Sequence, residues 1–155
     1  MRIEIVPYKP KYYKIFNELN KEWINAYFRM EAADLTTLNN PTKYIIDKGG
    51  FIFIALFDDQ PVGVVAMLKM NDPLYDFELA KMAVSQNFQG KGIGYQLGEA
   101  VIRKAKMVGA RNVYLESNTK LKPAIALYKK LGFKKIAQHE TPYERCNIQM
   151  GIELF

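Results

Sequence analysis

Val84-Ser85-Gln86-Asn87-Phe88-Gln89-Gly90-Lys91-Gly92-Ile93-Gly94 is the stretch that decides the fold. A strand-like run ends at Val84. Three glycines then alternate with other residues, and a helical pattern starts at Ile93. The first turn of a helix leaves backbone N–H groups without intrahelical partners at the positive end of its dipole. Glycines let that backbone approach an anion with no Cβ in the way, and Lys91 adds a mobile cation. The stretch is chemically suited to a pyrophosphate. It is neither of two common phosphate loops. A P-loop requires Gly-Lys-Ser/Thr after four intervening residues, and a dinucleotide fingerprint requires Gly-x-Gly-x-x-Gly; here the spacing is Gly-x-Gly-x-Gly.

Working outward, residues 77–84 read as the strand that feeds this loop. Residues 93–108 place Ile93, Leu97, Val101, Ala105 and Val108 on one helical face, with Gly109 at the C-terminal cap. Residues 51–57 and 62–68 are apolar runs of strand length joined by Asp58-Asp59-Gln60-Pro61, the pattern of a buried antiparallel hairpin. Residues 2–6 suit a strand ended by Pro7. Residues 11–30 carry Tyr12, Ile15, Phe16, Leu19, Trp23, Tyr27 and Met30 at helical spacing, and a short helix follows Pro41. Val113 to Glu116 reads as a strand, and Pro123 to Leu131 as a helix with Ala124, Leu127, Tyr128 and Leu131 inward, stopped by Gly132. Residues 133–138 and 145–154 read as two closing strands. Strands mixed with helices in this order predict an α/β (α+β) fold, a sheet flanked by helices.

The 155 residues match one domain, 1–155, with enough length to bury a core without disulfide or metal. One Cys (Cys146) and one His (His139) point away from a disulfide framework and from a zinc site, so no metal is expected and the cytoplasm is the expected compartment. No run approaches a membrane span, and the N-terminus lacks a signal-peptide layout. The chain carries 22 Lys+Arg against 16 Asp+Glu. Residues 1–75 balance at nine of each sign. Residues 81–135 hold twelve basic residues against Glu99 and Glu116. That asymmetry predicts an anionic partner for the second half. Three glycines at a helix start favour a small anion over nucleic acid, and scattered lysines are ordinarily a solvated face.

Gln89-Gly90-Lys91-Gly92-Ile93-Gly94 resembles the Gln-x-x-Gly-x-Gly/Ala loop of the GNAT superfamily of acetyl-CoA-dependent N-acetyltransferases. Glu78 to Val84 resembles that family's cofactor-side strand. Ala124 to Phe133 resembles its second signature, Ala-x-x-Leu-Tyr-x-x-x-Gly-Phe. The resemblance implies a mixed, mostly antiparallel split sheet, with the strands at 77–84 and 113–117 diverging around the pantetheine arm of acetyl-CoA. It implies pantetheine contacts from the backbones of Met82, Ala83 and Val84. It places the pyrophosphate on Gln89, Gly90, Lys91, Gly92, Ile93 and Gly94. The family often has an Asn seven residues before the Tyr. That position is Leu121 here, and Asn118 at the strand end is the candidate substitute.

Acetyl transfer to an amine needs a base, donors for the tetrahedral oxyanion and an acid beside sulfur. The resemblance assigns the acid to Tyr128; the alternative is a core aromatic packed with Leu127 and Leu131. It assigns the base to Glu78, with Glu116 or a water chain as competitors. A backbone N–H near Met82–Val84 is the oxyanion donor. His139 reads as loop surface, and Cys146 as a small buried residue on the last strand, so transfer is expected to be direct. The acceptor side is expected to draw on Trp23, Tyr27, Phe28, Glu31, Asp34, Tyr143, Glu144 and Arg145. The expected acceptor is a small-molecule or peptide amine: a polyamine, an aminoglycoside, a peptide N-terminus or a lysine. Neither nucleic acid nor membrane is an expected partner, and the chain is expected as a monomer or homodimer. The alternative function is a non-catalytic acetyl-CoA-binding regulatory module of the same fold.

Overall fold

A computed structural model of the chain describes residues 2–137 and 140–155. Strand β1 (Ile3–Pro7) leads into helices α1 (Tyr13–Tyr27) and α2 (Ala32–Asn39) and a π-type turn at Thr42–Ile46. Strands β2 (Phe51–Phe57), β3 (Gln60–Lys69) and β4 (Phe77–Val84) follow. Helix α3 (Ile93–Met107), β5 (Asn112–Ser117), α4 (Lys122–Leu131), β6 (Lys134–Lys135) and β7 (Ile148–Glu153) complete the chain. The seven strands form one sheet in the order β1-β2-β3-β4-β5-β7-β6. All neighbours are antiparallel except β4 and β5. A parallel pair needs a crossover, and α3 supplies it.

Each sheet face has its own core. Phe16, Leu19, Ile24, Leu38, Ile52, Ile54, Val64, Ala66 and Ala83 pack together on the α1/α2 face. Val65, Met67, Leu79, Leu97, Val101, Val113, Leu115 and Phe133 pack on the α3 face. The near-continuous apolar runs at 51–57 and 62–68 are explained by this burial on both sides.

Several boundaries differ from the expectation. The hairpin turn is only Asp58-Asp59, both at positive φ (48° and 70°), so Gln60 and Pro61 already belong to β3. Paired positive φ gives a tight turn whose twist suits the flanking strands. The helix expected over 11–30 stops at Tyr27, where Phe28 turns extended. A separate helix, α2, then occupies Ala32–Asn39, for which no element is expected from the sequence. Its Thr36-Thr37 pair weakens helix propensity, and its start is held by a reciprocal cap in which Glu31 and Asp34 each accept the other's backbone N–H. Of the closing strands expected over 133–138 and 145–154, β6 spans Lys134–Lys135 opposite Gly151 and Met150, Gln138 lies outside the described residues, and β7 begins at Ile148. Cys146 therefore precedes the last strand instead of lying on it. His139 lies outside the described residues. Helix α4 turns Leu127 and Leu131 toward α3, where they crowd Gly94 and Gly98, but it buries no residue fully.

Candidate active site

The cleft originates in the parallel pair. Phe77 sits opposite Val113 and Glu78 opposite Tyr114, and no further pairing joins β4 to β5. Past that point the strands diverge. On its other edge β4 carries a bulge: Val64 pairs with Ala83 and Ala66 with Ala80, so Lys81 and Met82 together stand against the single residue Val65 of β3. Lys81 takes a left-handed conformation, φ 54°, which is strained for a side chain of this kind. A bulge re-aims side chains and takes backbone groups off the ladder. Here it does so at the mouth of the gap.

A cavity of about 300 Å³ fills that gap, lined by Glu78 to Met82 of β4, by Glu116, Ser117 and Asn118 at the end of β5, and by Leu121 and Tyr128 of the α4 segment. Trp23 and Phe28 close it from α1, and Tyr143, Arg145 and Cys146 from the loop before β7. Glu78 and Tyr128, assigned to one site from sequence, thus line one cavity. Burial raises Glu78 to about 8, the charge of Glu116 adds to the rise, and Lys81 opposes it. Burial pushes the Tyr128 hydroxyl up to about 12. The Tyr128 ring meets Phe133 edge-on at 6.2 Å between centroids, so the residue is both packed and cavity-facing.

Beyond Val84 lies the glycine loop. Gly90 and Gly92 have φ of 78° and 80°, and Gly92 is the N-cap of α3. Gly94 has a different role: a Cβ there would lie 3.2 Å from the Leu127 side chain, so glycine lets α3 and α4 approach. Gln89 donates from Nε2 to the Val84 carbonyl at 3.3 Å, while Lys91 is exposed with its ammonium 5.8 Å from the Phe57 ring centroid. Ile93 is fully buried and anchors the start of α3. Met82 and Val84 are partly buried and Ala83 is buried, at the end of β4 that leads into the loop.

Asn118 lines the cavity, but its amide is engaged locally. Nδ2 donates to the Arg145 carbonyl at 2.7 Å, and Oδ1 accepts the Lys120 N–H at 2.9 Å. Its role in the structure is to tie the loop before β7 to the end of β5.

Two groups were missed from sequence. One centres on Asp34, fully buried. Its Oδ1 accepts from Lys81 Nζ at 2.8 Å and Arg145 Nη2 at 2.6 Å; its Oδ2 accepts from Arg145 Nη1 at 2.7 Å and the Glu31 N–H at 2.9 Å. Burial would raise the Asp34 carboxyl, but the hydrogen bonds from Arg145 and Lys81 overcome it and hold it at about 2. Lys81 also donates to the Tyr143 hydroxyl at 2.9 Å. Asp34, Tyr143 and Arg145 were placed on the acceptor side from sequence; Lys81 was read only as part of a strand. The second group surrounds Glu116, whose Oε2 accepts from the Tyr114 hydroxyl at 2.7 Å and Oε1 from the Thr141 hydroxyl at 2.6 Å. The two-residue spacing of Tyr114 and Glu116 on a strand puts both on one face, a signal present in the sequence. Of the other acceptor-side residues, Tyr27 is exposed and outside the cavity lining. Glu144 points to solvent, its backbone N–H donating to Glu31 Oε1 at 3.1 Å.

Among known proteins, the model of the acetyltransferase (GNAT) family matches residues 12–133. Rat N-acetyltransferase 8F1 is 31% identical over 121 residues, 76% of this chain and 52% of that protein. The chain spans about half the length of the rat relatives it matches. An acetyltransferase of the GNAT family from Staphylococcus aureus superposes with a TM-score of 0.87 at 21% identity, covering 99% of this chain and 100% of that one. A protein of Salmonella typhimurium solved with its cofactor acetyl-CoA superposes with a TM-score of 0.79 at 17% identity, covering 100% and 95%.

Proposed function

Because this chain belongs to the GNAT family of acetyltransferases, we propose that it moves an acetyl group from acetyl-CoA to a primary amine by direct attack, within one domain spanning residues 1–155. The observation that carries this reading is the gap between β4 and β5. It brings Glu78 and Tyr128 to one cavity whose β4 wall runs on into the glycine loop. Gly90 and Gly92, with the first N–H groups of α3, hold the pyrophosphate of acetyl-CoA. Gln89, Lys91, Ile93 and Gly94 complete that cradle. The backbones of Met82, Ala83 and Val84 flank the pantetheine arm.

The residues divide the proton work. Glu78 takes a proton from the amine; its shift toward about 8 makes it a stronger base than an ordinary carboxylate. The attacking nitrogen forms the bond to the acetyl carbonyl carbon, and a backbone N–H near Met82–Val84 donates to the resulting oxyanion. The carbon–sulfur bond then breaks, Tyr128 gives its proton to the departing sulfur, and the proton still carried by the attached nitrogen returns to the Tyr128 oxygen, leaving a neutral amide. The raised pKa of Tyr128 keeps the hydroxyl protonated until that moment. Cys146, half-buried and with burial pushing its thiol up, stays protonated and takes no acetyl group. A single thiol fits a reducing compartment such as the cytosol. The working unit is a monomer or homodimer, with neither nucleic acid nor membrane as a partner.

Calorimetry with acetyl-CoA and a thiol-release assay over an amine panel test this reading. The wild-type chain binds acetyl-CoA and releases thiol with at least one amine. Gly92→Glu abolishes binding, because it adds bulk and negative charge where φ is 80°. Retained affinity in that variant shows the loop to be misassigned. Binding without release from any amine identifies a non-catalytic acetyl-CoA-binding module.

A further inference from the structure

The acceptor end of the cavity has an uneven charge balance. It presents four titratable side chains, Glu78, Glu116, Lys81 and Arg145. The two cations are already matched. Lys81 and Arg145 share the buried Asp34 carboxylate, and Arg145 also reaches Glu31 Oε2 at 3.2 Å. Their side chains are only 6% and 16% exposed, so little of either charge remains to meet a ligand.

The two acids are not matched. Glu116 accepts from two neutral hydroxyls, and among the described residues it makes no ion pair. Glu78 makes neither a hydrogen bond nor an ion pair among the described residues. Both lie on the same sheet face, since Glu78 is opposite Tyr114 and Glu116 is two residues further along. Lys120 approaches the ring of Phe28 at 4.2 Å, but it is exposed and its charge is screened by solvent. Three aromatic side chains, Trp23, Phe28 and Tyr143, share the rest of the wall with aliphatic and neutral polar residues.

We propose that the acceptor is a primary amine that brings positive charge and no carboxylate into this cavity, with Glu116 as the residue that selects it. This rests on the acetyl-transfer reading above. An aliphatic amine arrives protonated at neutral pH. Glu116 attracts that charge while Glu78 removes the proton, and the aromatic wall receives the carbon body and any second ammonium group. A carboxylate carried into the same space meets the Glu116 carboxylate, while the enclosed cations Lys81 and Arg145 are already engaged by Asp34. Like charges brought together at a recognition site are strongly disfavoured.

The test uses three acceptors of one length: 1,4-diaminobutane, butylamine and 4-aminobutanoate. Their far ends are positive, neutral and negative. The expected order of kcat/KM is diamine, then butylamine, then aminobutanoate, with a spread of about tenfold or more. Glu116→Gln flattens the order, through KM for the diamine, and leaves acetyl-CoA affinity unchanged. Glu116→Asp, which keeps the charge, retains the order. Aminobutanoate matching or exceeding the diamine overturns the proposal. So does turnover confined to carboxylate-bearing amines, or an unchanged order in a folded Glu116→Gln variant. Acetyl-CoA binding without thiol release from any amine refutes the transferase reading instead.

Discussion

Replacing Asp34 by Asn isolates the contribution of the buried charge cluster. The Asp34 carboxylate is inaccessible to solvent and accepts four hydrogen bonds, three of them from Lys81 and Arg145 at 2.6–2.8 Å. The substitution keeps the shape but leaves Arg145 with Glu31 as its acidic partner and Lys81 with only the Tyr143 hydroxyl among the described residues. Removing one partner of a buried ion pair costs about 3–5 kcal/mol, because the surviving charge is uncompensated. In a chain of this size each kcal/mol lowers Tm by about 2–4 °C, so Asp34→Asn is expected to melt roughly 10 °C lower. Urea unfolding followed by the fluorescence of the single tryptophan, Trp23, reads the same loss as a shift in midpoint. Adding Lys81→Met and Arg145→Met removes the stranded cations and restores most of the stability. Acid has a smaller effect of the same origin. The folded carboxyl titrates at about 2, below its ordinary 3.8. Its stabilisation is therefore complete above about pH 4 and is lost as pH falls through 2. The shift corresponds to about 2 kcal/mol. A loss under about 1 kcal/mol in Asp34→Asn, or no recovery in the triple variant, refutes the claim that this cluster holds α2, β4 and the loop before β7 together.

Glu78→Gln is expected to cut kcat/KM by about 10²–10⁴-fold and to remove an ascending pH limb centred near 8; a surviving limb assigns the base elsewhere. Glu78 also binds its proton more tightly when folded (about 8) than its ordinary 4.5. Wild-type stability therefore falls as pH rises across that window, and the variant loses this slope. Tyr128→Phe keeps the contact with Phe133 but removes the proton donor; kcat is expected to drop about 10²-fold or more, with acetyl-CoA affinity retained in calorimetry. Unchanged kcat leaves Tyr128 as packing only. Gly50→Ala places a Cβ 2.5 Å from the Met67 carbonyl oxygen and 2.9 Å from that of Ile45, so the backbone must shift. A loss of about 1–3 kcal/mol in urea unfolding is expected, and a neutral result shows that the turn before β2 yields easily.

Local chemistry explains which parts were legible. The strand–loop–helix at Val84–Ile93 reads from sequence because adjacent residues create it: a strand end, positive-φ glycines and a helix start. The α3 stop at Gly109 (φ 78°) is equally local. Glu78 and Tyr128 were named from motif resemblance, and the fold places both on one cavity. Helix α2 was missed because its hydrophobic pattern is weak; Leu38 and Asp34 are its only fully buried residues. Its cap, Glu31-x-x-Asp34, was present in the sequence, but both acids read equally well as substrate contacts. Of the strand expected over 133–138, Lys134 and Lys135 pair in register with β7 and Ile136 adds one backbone hydrogen bond to Gln149, while Gln138 lies outside the described residues.

The sequence by itself determined the alternation of strands and helices, the anion-suited loop and the basic bias of residues 81–135. These follow from periodicity, glycine placement and charge, which neighbouring residues set among themselves. Tertiary structure alone decided how the acids and bases pair. Asp34 and Arg145 stand 111 residues apart, and Lys81 reaches both Asp34 and Tyr143 only from its left-handed bulge. Glu116 and Thr141 meet across a shorter detour of 25 residues. Whether an acid is a neutralised strut or an unmatched charge facing a cavity depends on what folding brings within 3 Å of it, and no local pattern encodes that distance. The charge count that is balanced over residues 1–75 thus conceals one acid, Asp34, spent on holding the site together. Two acids from the second half, Glu78 and Glu116, are left facing the cavity.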